Sequence, residues 1–259
     1  MRKSIIVALI LLTTIIAKAQ PPAYPPEAQP FIPDGYDVLD YKAGDLNGDA
    51  KRDAILILKN PGEDSIIDDN VTRPFLILLR QPDGKLKQVV KNDNAIMCRQ
   101  CGGVFGDPYE GVQLFNKGFS LSFYGGSSWR WAYNYEFRWN AVKKNWFLYK
   151  ETQSSFQSGD PETTMKTVEI EAVELGEVPI DKFNTDPGYE ESKWKVKAVK
   201  TFFYESPKLG SKPRKAYLLK GNLATGIRHF KNFIEVSFEN SKGEITSGYI
   251  LRKDLEAVK

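Results

Sequence analysis

Histidine and cysteine are scarce in this chain, which has one histidine, His229, and two cysteines among 259 residues. A Ser-His-Asp hydrolase, a Cys-His protease and a histidine-rich zinc site each need several such residues. Their scarcity excludes these classes of site unless His229 acts alone.

An excess of charge of one sign is also missing, because 36 basic and 33 acidic residues leave a net charge of +3. This balance provides no strongly basic surface for nucleic acid or for a membrane. Beyond residue 19, the chain lacks an apolar run of the roughly 20 residues that span a bilayer. We therefore predict no nucleic-acid partner and no membrane span in the mature protein.

The first 19 residues have the composition of a secretory signal peptide. Arg2 and Lys3 precede an apolar stretch at 5–16, and Ala17 and Ala19 supply the small residues of a peptidase site. We predict cleavage after Ala19 and a secreted or periplasmic protein. Residues 20–35 contain six prolines and predict an extended, polyproline-like leader with little packing.

The rest of the chain favours strands, because its 32 aromatic residues (15 Phe, 12 Tyr and 5 Trp) come without long helical periodicity. We predict an all-β fold in two units. The first, residues 36–183, is a sandwich-like β meander of roughly seven strands with a loop at 154–164. A linker at 184–194 leads to a second unit at 195–259.

Oxygen-bearing side chains fall at every second position of one short loop: Asp45, Asn47 and Asp49, with a fourth at Asp53. Calcium needs many oxygen ligands around one point, and such a loop can supply them. A twelve-residue EF-hand loop would require a glutamate at the position of Leu56, so the sequence excludes an EF-hand here.

The nine-residue spacing resembles the calcium loop of FG-GAP (VCBS, integrin-α-type) repeats, Asp-x-Asp/Asn-x-Asp-Gly-x-x-Asp. The resemblance covers residues 40–60 and implies a structural calcium. Ala50 stands where the family has glycine, and the single loop argues against a propeller, which needs several blades. The alternative is a solvated turn without metal. The implied ligands are the side chains of Asp45, Asn47, Asp49 and Asp53 and the backbone carbonyl of Lys51.

Every odd residue from Trp129 to Trp139 is aromatic. Since side chains alternate between the two faces of a strand, all six rings lie on one face. The row is either the buried face of a sandwich or a platform on which sugar rings stack. The platform residues would be Trp129, Trp131, Tyr133 and Tyr135.

Cys98 and Cys101 form a lone C-x-x-C motif before two glycines. One pair cannot supply the four ligands of a zinc site, and no helix within a βαβ unit is predicted for a redox motif. We predict a disulfide that closes this loop in an oxidising compartment. Further along the same loop, Asp107 and Glu110 are the acid candidates for a glycan hydrolase.

Short strand-like segments with glycine turns lie at 199–207, 216–221, 233–238 and 243–250. With these segments, residues 195–259 resemble a bacterial SH3-like domain, a small barrel. Such domains commonly accompany cell-wall proteins, so the resemblance implies binding of peptidoglycan or a cell-surface peptide. The alternative is a scaffold without a ligand.

These features predict a secreted, non-catalytic, calcium-stabilised binding protein of the cell envelope, whose ligand is cell-wall glycan or peptide. Two alternatives remain open at the level of sequence. One is a carboxylate-based glycan hydrolase that uses Asp107 and Glu110. The other is a structural subunit of a surface complex, tethered by the proline-rich leader.

Overall fold

The computed structural model describes residues 24–65, 71–185 and 192–258. Within these ranges the chain forms sixteen strands in three antiparallel sheets, with only short helices between them. The predicted all-β fold is confirmed. The predicted signal peptide, residues 1–19, lies outside the described residues. In the described part of the chain, no helix has the length and apolarity needed to cross a membrane.

Sheet A is a four-stranded meander in which sequential strands are neighbours. Its second strand is buried on both faces, which explains the continuous apolar run at 54–58. Ile55 and Ile57 face the main core, whereas Leu56 and Leu58 face a smaller cluster on the opposite side. The strands are β1 (Asp37–Gly44), β2 (Asp53–Lys59), β3 (Phe75–Arg80) and β4 (Leu86–Asn92).

The leader packs against sheet A instead of extending away from it. Pro26–Phe31 is a 3-10 helix in which Ala28 is fully buried, and Phe31 and Ile32 cover the outer side of the sheet. Glu27 pairs with Arg80 at 2.6 Å. The expectation of an extended, poorly packed leader is therefore wrong for the described residues from 24 onward, because apolar residues between the prolines bury themselves on β2 and β3.

Sheet B is a five-stranded meander that follows sheet A in the chain. β8 continues well into the predicted loop at 154–164, where only Pro161–Thr164 (α1) is helical. The first unit has nine strands, whereas the sequence predicts about seven, and one of those that the sequence does not predict is Tyr109–Phe115. A second short helix, α2 (Ala172–Leu175), follows the sheet. The strands are β5 (Tyr109–Phe115), β6 (Gly118–Gly126), β7 (Trp129–Asn140), β8 (Asn145–Gln157) and β9 (Lys166–Glu171).

One apolar core joins sheets A and B, as expected for a sandwich in which each sheet contributes one face. Phe75 of β3 packs against Phe119 of β6, with ring centroids 5.5 Å apart, and Phe119 stacks on Phe137 of β7 at 5.2 Å. The outer face of sheet B, on the opposite side from this core, remains polar.

Sheet C contains the remaining seven strands in the order β12-β11-β15-β14-β13-β10-β16. Its first strand begins at Ser192, inside the stretch predicted as a linker, and pairs with both β13 and β16. The sheet has a small core of its own around Phe203, Ile234 and Ile250. The strands are β10 (Ser192–Val196), β11 (Lys200–Tyr204), β12 (Pro213–Leu219), β13 (Leu223–His229), β14 (Phe233–Glu239), β15 (Ile245–Leu251) and β16 (Leu255–Ala257).

The main core also includes residues of sheet C. Phe230, Phe233 and Tyr249 belong to the same buried cluster as the sandwich. Beside them, the guanidinium of Arg228 on β13 makes two hydrogen bonds to the fully buried carboxylate of Glu151 on β8. We call this contact between β8 and β13 the seam. It joins the two predicted units through apolar packing and a buried ion pair.

Candidate functional site

The acidic loop connects β1 and β2, and Asp45 organises its backbone. Asp45 Oδ1 accepts hydrogen bonds from the backbone N–H groups of Asn47, Gly48 and Asp49, and Oδ2 accepts one from Ala50. Ala50 has a φ of +62°, in the left-handed region that favours glycine. The alanine adopts this conformation at a cost in strain.

Asp53 fixes the far end of the loop to the core. Its buried carboxylate accepts the N–H of Leu46 at 3.1 Å and the N–H of Arg80 at 2.9 Å. Desolvation raises the pKa of Asp53 more than these two hydrogen bonds lower it, and the negative charges of Asp49 and Asp45 raise it further. Trp146 also fixes the loop, because its Nε1–H donates to the carbonyl of Leu46 at 2.8 Å.

Three of the predicted ligands come together. Carboxylate oxygens of Asp45, Asp49 and Asp53 lie within 4.8 Å of one another. Each of the three carboxylates offers one oxygen, and at this spacing they could hold a metal ion. Asn47 uses its side-chain oxygen to accept the N–H of Asp49 at 2.9 Å.

Lys51 contacts the site through its ammonium group. Lys51 Nζ lies 3.1 Å from Asp49 Oδ2, and the Lys51 N–H donates to Asp49 Oδ1 at 3.0 Å. Although desolvation raises the pKa of Asp49, these two hydrogen bonds from Lys51 lower it more, and the net pKa lies below its usual value. The ammonium group therefore neutralises part of the negative charge of the acidic loop.

The aromatic row of β7 faces the sandwich core. Tyr135 and Phe137 are buried, and Trp131 and Tyr133 pack beside them with ring centroids 5.0 Å apart. Tyr135 is 4 % exposed and contacts the ring of Phe183, which leaves it no surface for a ligand. Trp129, at the start of the strand, is 55 % exposed. Burial in the core therefore accounts for most of the row.

Cys98 and Cys101 are joined by a disulfide, with Cα atoms 5.2 Å apart. The glycines after it lie directly against the end of the β6–β7 hairpin, where the N–H of Gly126 donates to the carbonyl of Gly102 at 3.0 Å. A Cβ atom on Gly103 would lie 2.8 Å from the carbonyl oxygen of Gly126, so this contact requires glycine. The disulfide loop therefore packs against the hairpin through backbone contacts.

Asp107 belongs to an ion cluster around the buried Arg73, and its own side chain is 35 % exposed. Both of its oxygens accept hydrogen bonds from the fully buried guanidinium of Arg73, at 2.8 and 2.7 Å, and Arg73 also pairs with Glu63 at 2.6 Å. Desolvation lowers the pKa of Arg73, but its bonds to Asp107 and Glu63 raise the pKa more. Glu110 is exposed on β5 and lines a depression on the outer face of sheet B. With Asp107 paired in this way, the geometry gives no support to an acid–base pair with Glu110.

The outer face of sheet B is a polar surface that the sequence analysis did not single out. It is formed by the residues that alternate with the core positions, and its centre carries hydroxyl and amide groups. Two adjoining depressions, of about 550 and 570 Å³, both include Asn134 on β7. The uncharged polar residues that line this face include Gln113, Ser120, Ser122, Tyr124, Asn134, Thr152 and Ser154, and the same depressions are also lined by Glu110, Phe115, Ala132, Glu136 and Arg138.

Hydrogen bonds and ion pairs order this outer face. Ser122 Oγ donates to Asn134 Oδ1 at 3.0 Å across the β6–β7 pair. Lys150 pairs with Glu169 at 2.6 Å near one edge. The signal that could have found this face is the set of even positions on β7, Ala132 to Arg138, which lie opposite the aromatic row.

Comparison with known proteins identifies no relative of this chain. No protein-family profile matches the chain, and neither a curated protein nor a solved structure matches it.

Proposed function

We propose that this protein is a secreted or periplasmic, non-catalytic binding protein of the cell envelope, and that it binds glycan on the outer face of sheet B. The observation that carries the proposal is the set of hydroxyl and amide side chains on one sheet face, which the charged side chains of Glu110, Glu136 and Arg138 also line. The disulfide is consistent with an extracytoplasmic protein.

The chemistry of this face matches that of a glycan. Sugar hydroxyl groups both donate and accept hydrogen bonds, as do the side chains of Ser122, Asn134 and Thr152. Tyr124, at one end of the face, offers an aromatic ring for the apolar side of a sugar. Five strands spaced about 4.8 Å apart make the face about 19 Å wide, which accommodates an extended chain of sugar units.

The calcium loop and the SH3-like unit form the rest of the proposal. Calcium at Asp45, Asp49 and Asp53 would link the β1–β2 turn to the core without taking part in ligand binding. The SH3-like resemblance of residues 195–259 supports attachment to peptidoglycan or a surface peptide, as a second contact with the envelope.

Retention on isolated cell wall tests the glycan site. We expect the wild-type protein to sediment with purified peptidoglycan or to be retained by immobilised polysaccharide. The double substitution Ser122→Ala with Asn134→Ala should weaken retention about thirtyfold, since each of two neutral hydrogen bonds to the glycan contributes about 1 kcal/mol. The two residues are replaced together because they bond to each other, so neither is left unpaired.

Gln88→Ala provides the matched control, because it removes an exposed amide from β4 of sheet A. This variant should bind as the wild type does. The glycan proposal fails if no wall fraction or polysaccharide retains the wild-type protein. It also fails if the double variant keeps its fold by circular dichroism and binds with unchanged affinity.

Titration calorimetry tests the calcium loop. We expect one calcium ion per chain, and an increase in the free energy of unfolding of about 2.7 kcal/mol at a free calcium concentration of 100 times Kd. Asp49→Asn should weaken binding about tenfold or more, because calcium affinity follows the charge of its ligands. Asp37→Asn, on the exposed start of β1, should leave binding unchanged. Absence of binding by the wild type, or equal affinities for wild type and Asp49→Asn, would refute the site.

A further inference from the structure

The near balance of charge over the whole chain hides an uneven distribution. Residues 186–259 contain 15 basic and nine acidic side chains, whereas residues 1–185 contain 21 basic and 24 acidic ones. The part of the chain that includes sheet C therefore has a net charge of +6, against −3 for the rest. A local excess of this size can attract an anionic surface although the net charge of the protein is small.

Three turns meet at one end of sheet C. The N–H of Lys220, in the β12–β13 turn, donates to the carbonyl of Val199, in the β10–β11 turn, at 3.2 Å. The N–H of Lys197 donates to the carbonyl of Asp254, in the 3-10 turn Arg252–Asp254, at 2.9 Å. These backbone hydrogen bonds fix the three turns beside one another. We call this end of the sheet, residues 197–200, 219–223 and 252–254, the basic tip.

Basic side chains predominate on the basic tip. Its one carboxylate belongs to Asp254, whose Oδ2 accepts a hydrogen bond from the Thr201 hydroxyl at 2.7 Å. Lys200 Nζ lies 3.9 Å from the centre of the half-exposed Tyr217 ring, which holds this ammonium group over β11 and β12. The exposed basic residues of the tip are Lys197, Lys200, Lys220, Arg252 and Lys253.

Large apolar side chains are exposed among these basic groups. Val199 is 82 % exposed, and Leu219 and Leu223 are 50 % and 55 % exposed. Leu219 lies opposite Lys200 in the β11–β12 pair, and Leu223 lies opposite Lys195 in the β10–β13 pair. Exposed apolar groups rimmed by polar ones mark interaction sites. A soluble polyanion would leave these aliphatic groups in water, whereas a lipid surface offers both negative charge and an apolar boundary that covers them.

We propose that the basic tip binds the surface of an anionic lipid bilayer, with its lysine and arginine groups at the lipid head groups and Val199 and Leu219 at the boundary with the acyl chains. Each lysine close to an anionic bilayer strengthens binding about fivefold. This peripheral contact is not a membrane span. It goes beyond the proposed glycan site, which lies on sheet B, so failure of either proposal leaves the other intact.

Cosedimentation with lipid vesicles tests the basic tip. The protein is used from Gln20 onward, because the apolar stretch at 5–16 would itself bind lipid. We expect it to bind vesicles of phosphatidylcholine mixed with phosphatidylglycerol at low ionic strength. Vesicles of phosphatidylcholine alone should bind more than about tenfold more weakly. Added salt should weaken binding to the mixed vesicles, because it screens charges that are solvent-exposed.

Substitution of two lysines makes the test specific to the tip. Lys197→Gln with Lys220→Gln should lower the partition coefficient for the mixed vesicles about twenty-five-fold, from about fivefold for each lysine. Lys85→Gln with Lys87→Gln is the matched control, because both lysines are exposed on the β3–β4 hairpin of sheet A. The control makes the same change in net charge and should bind as the wild type does.

Val199→Ser distinguishes a lipid surface from a soluble polyanion. It should lower the partition coefficient about fivefold, since the exposed valine loses its transfer to the apolar boundary. Absence of binding to the mixed vesicles, equal binding to both kinds of vesicle, or equal losses in the two double variants would each overturn the proposal. Unchanged binding by Val199→Ser would also overturn it, because the tip would then recognise charge alone, as expected for a polyanion.

Discussion

Glu151→Leu is expected to lower the free energy of unfolding by about 3–5 kcal/mol, because it leaves the charge of Arg228 at the seam without its partner. Glu151 is fully buried, and the side chain of Arg228 is 24 % exposed, so solvent can replace only part of the lost ion pair. Its loss should also weaken the attachment of sheet C to the sandwich. The measurement is urea unfolding, followed by scanning calorimetry to resolve separate transitions.

The double substitution Glu151→Leu with Arg228→Met distinguishes loss of a partner from loss of packing. Replacing both members of a buried ion pair by apolar residues is often neutral or stabilising, so the double variant should recover most of the lost stability. Lys150→Gln, next to Glu151 but on the outer face, breaks a largely exposed pair with Glu169 and should cost less than about 1 kcal/mol. A double variant as unstable as Glu151→Leu would contradict this account of the seam.

Local patterns in the sequence predict the interior of the sandwich well. The continuous apolar run at 54–58 and the alternation from Trp129 to Trp139 each fix a strand and the direction of its side chains. What they did not predict is the outer face of sheet B. Its hydroxyl and amide residues look like ordinary solvated positions until five strands bring them together in space.

Long-range contacts are the feature of this fold that local sequence patterns do not indicate. Glu151 and Arg228 lie 77 positions apart, and Glu27 and Arg80 lie 53 apart. No local pattern links such residues, so the sequence alone predicts an unpacked leader and does not indicate the contact between β8 and β13. Burial of Ala28, Phe31 and Ile32 on sheet A, and of Phe230 on the main core, explains both differences.

The acidic loop shows what the spacing of acidic residues in the sequence predicts and what it does not. The sequence identified the three carboxylates that converge, because their positions follow a local repeat. It could not show that Asp53 also serves as a backbone acceptor for Leu46 and Arg80, nor that Trp146 supports the loop from below. These contacts hold the turn in shape by themselves, so calcium would add to an arrangement that the chain already forms.

Trp146→Ala is expected to lower the free energy of unfolding by about 3–5 kcal/mol, the usual cost of removing a large buried aromatic side chain. Trp146 is 1 % exposed, and its ring packs against Trp139 with centroids 4.5 Å apart. Because its Nε1–H also bonds the carbonyl of Leu46, the substitution frees the residue that donates to Asp53. Calcium affinity should therefore fall together with stability.

Trp146→Phe separates the two roles of this residue. It keeps much of the buried aromatic surface but removes the hydrogen bond to Leu46. The free energy of unfolding should therefore fall less than in Trp146→Ala, and about 1 kcal/mol of the loss should come from the hydrogen bond. If the bond positions the acidic loop, calcium affinity should drop in a variant that remains fully folded by circular dichroism. Trp129→Ala, at the exposed start of the aromatic row, should change stability by only about 0.5 kcal/mol. Unchanged calcium affinity in folded Trp146→Phe would show that Asp45, Asp49 and Asp53 keep their geometry without support from the core.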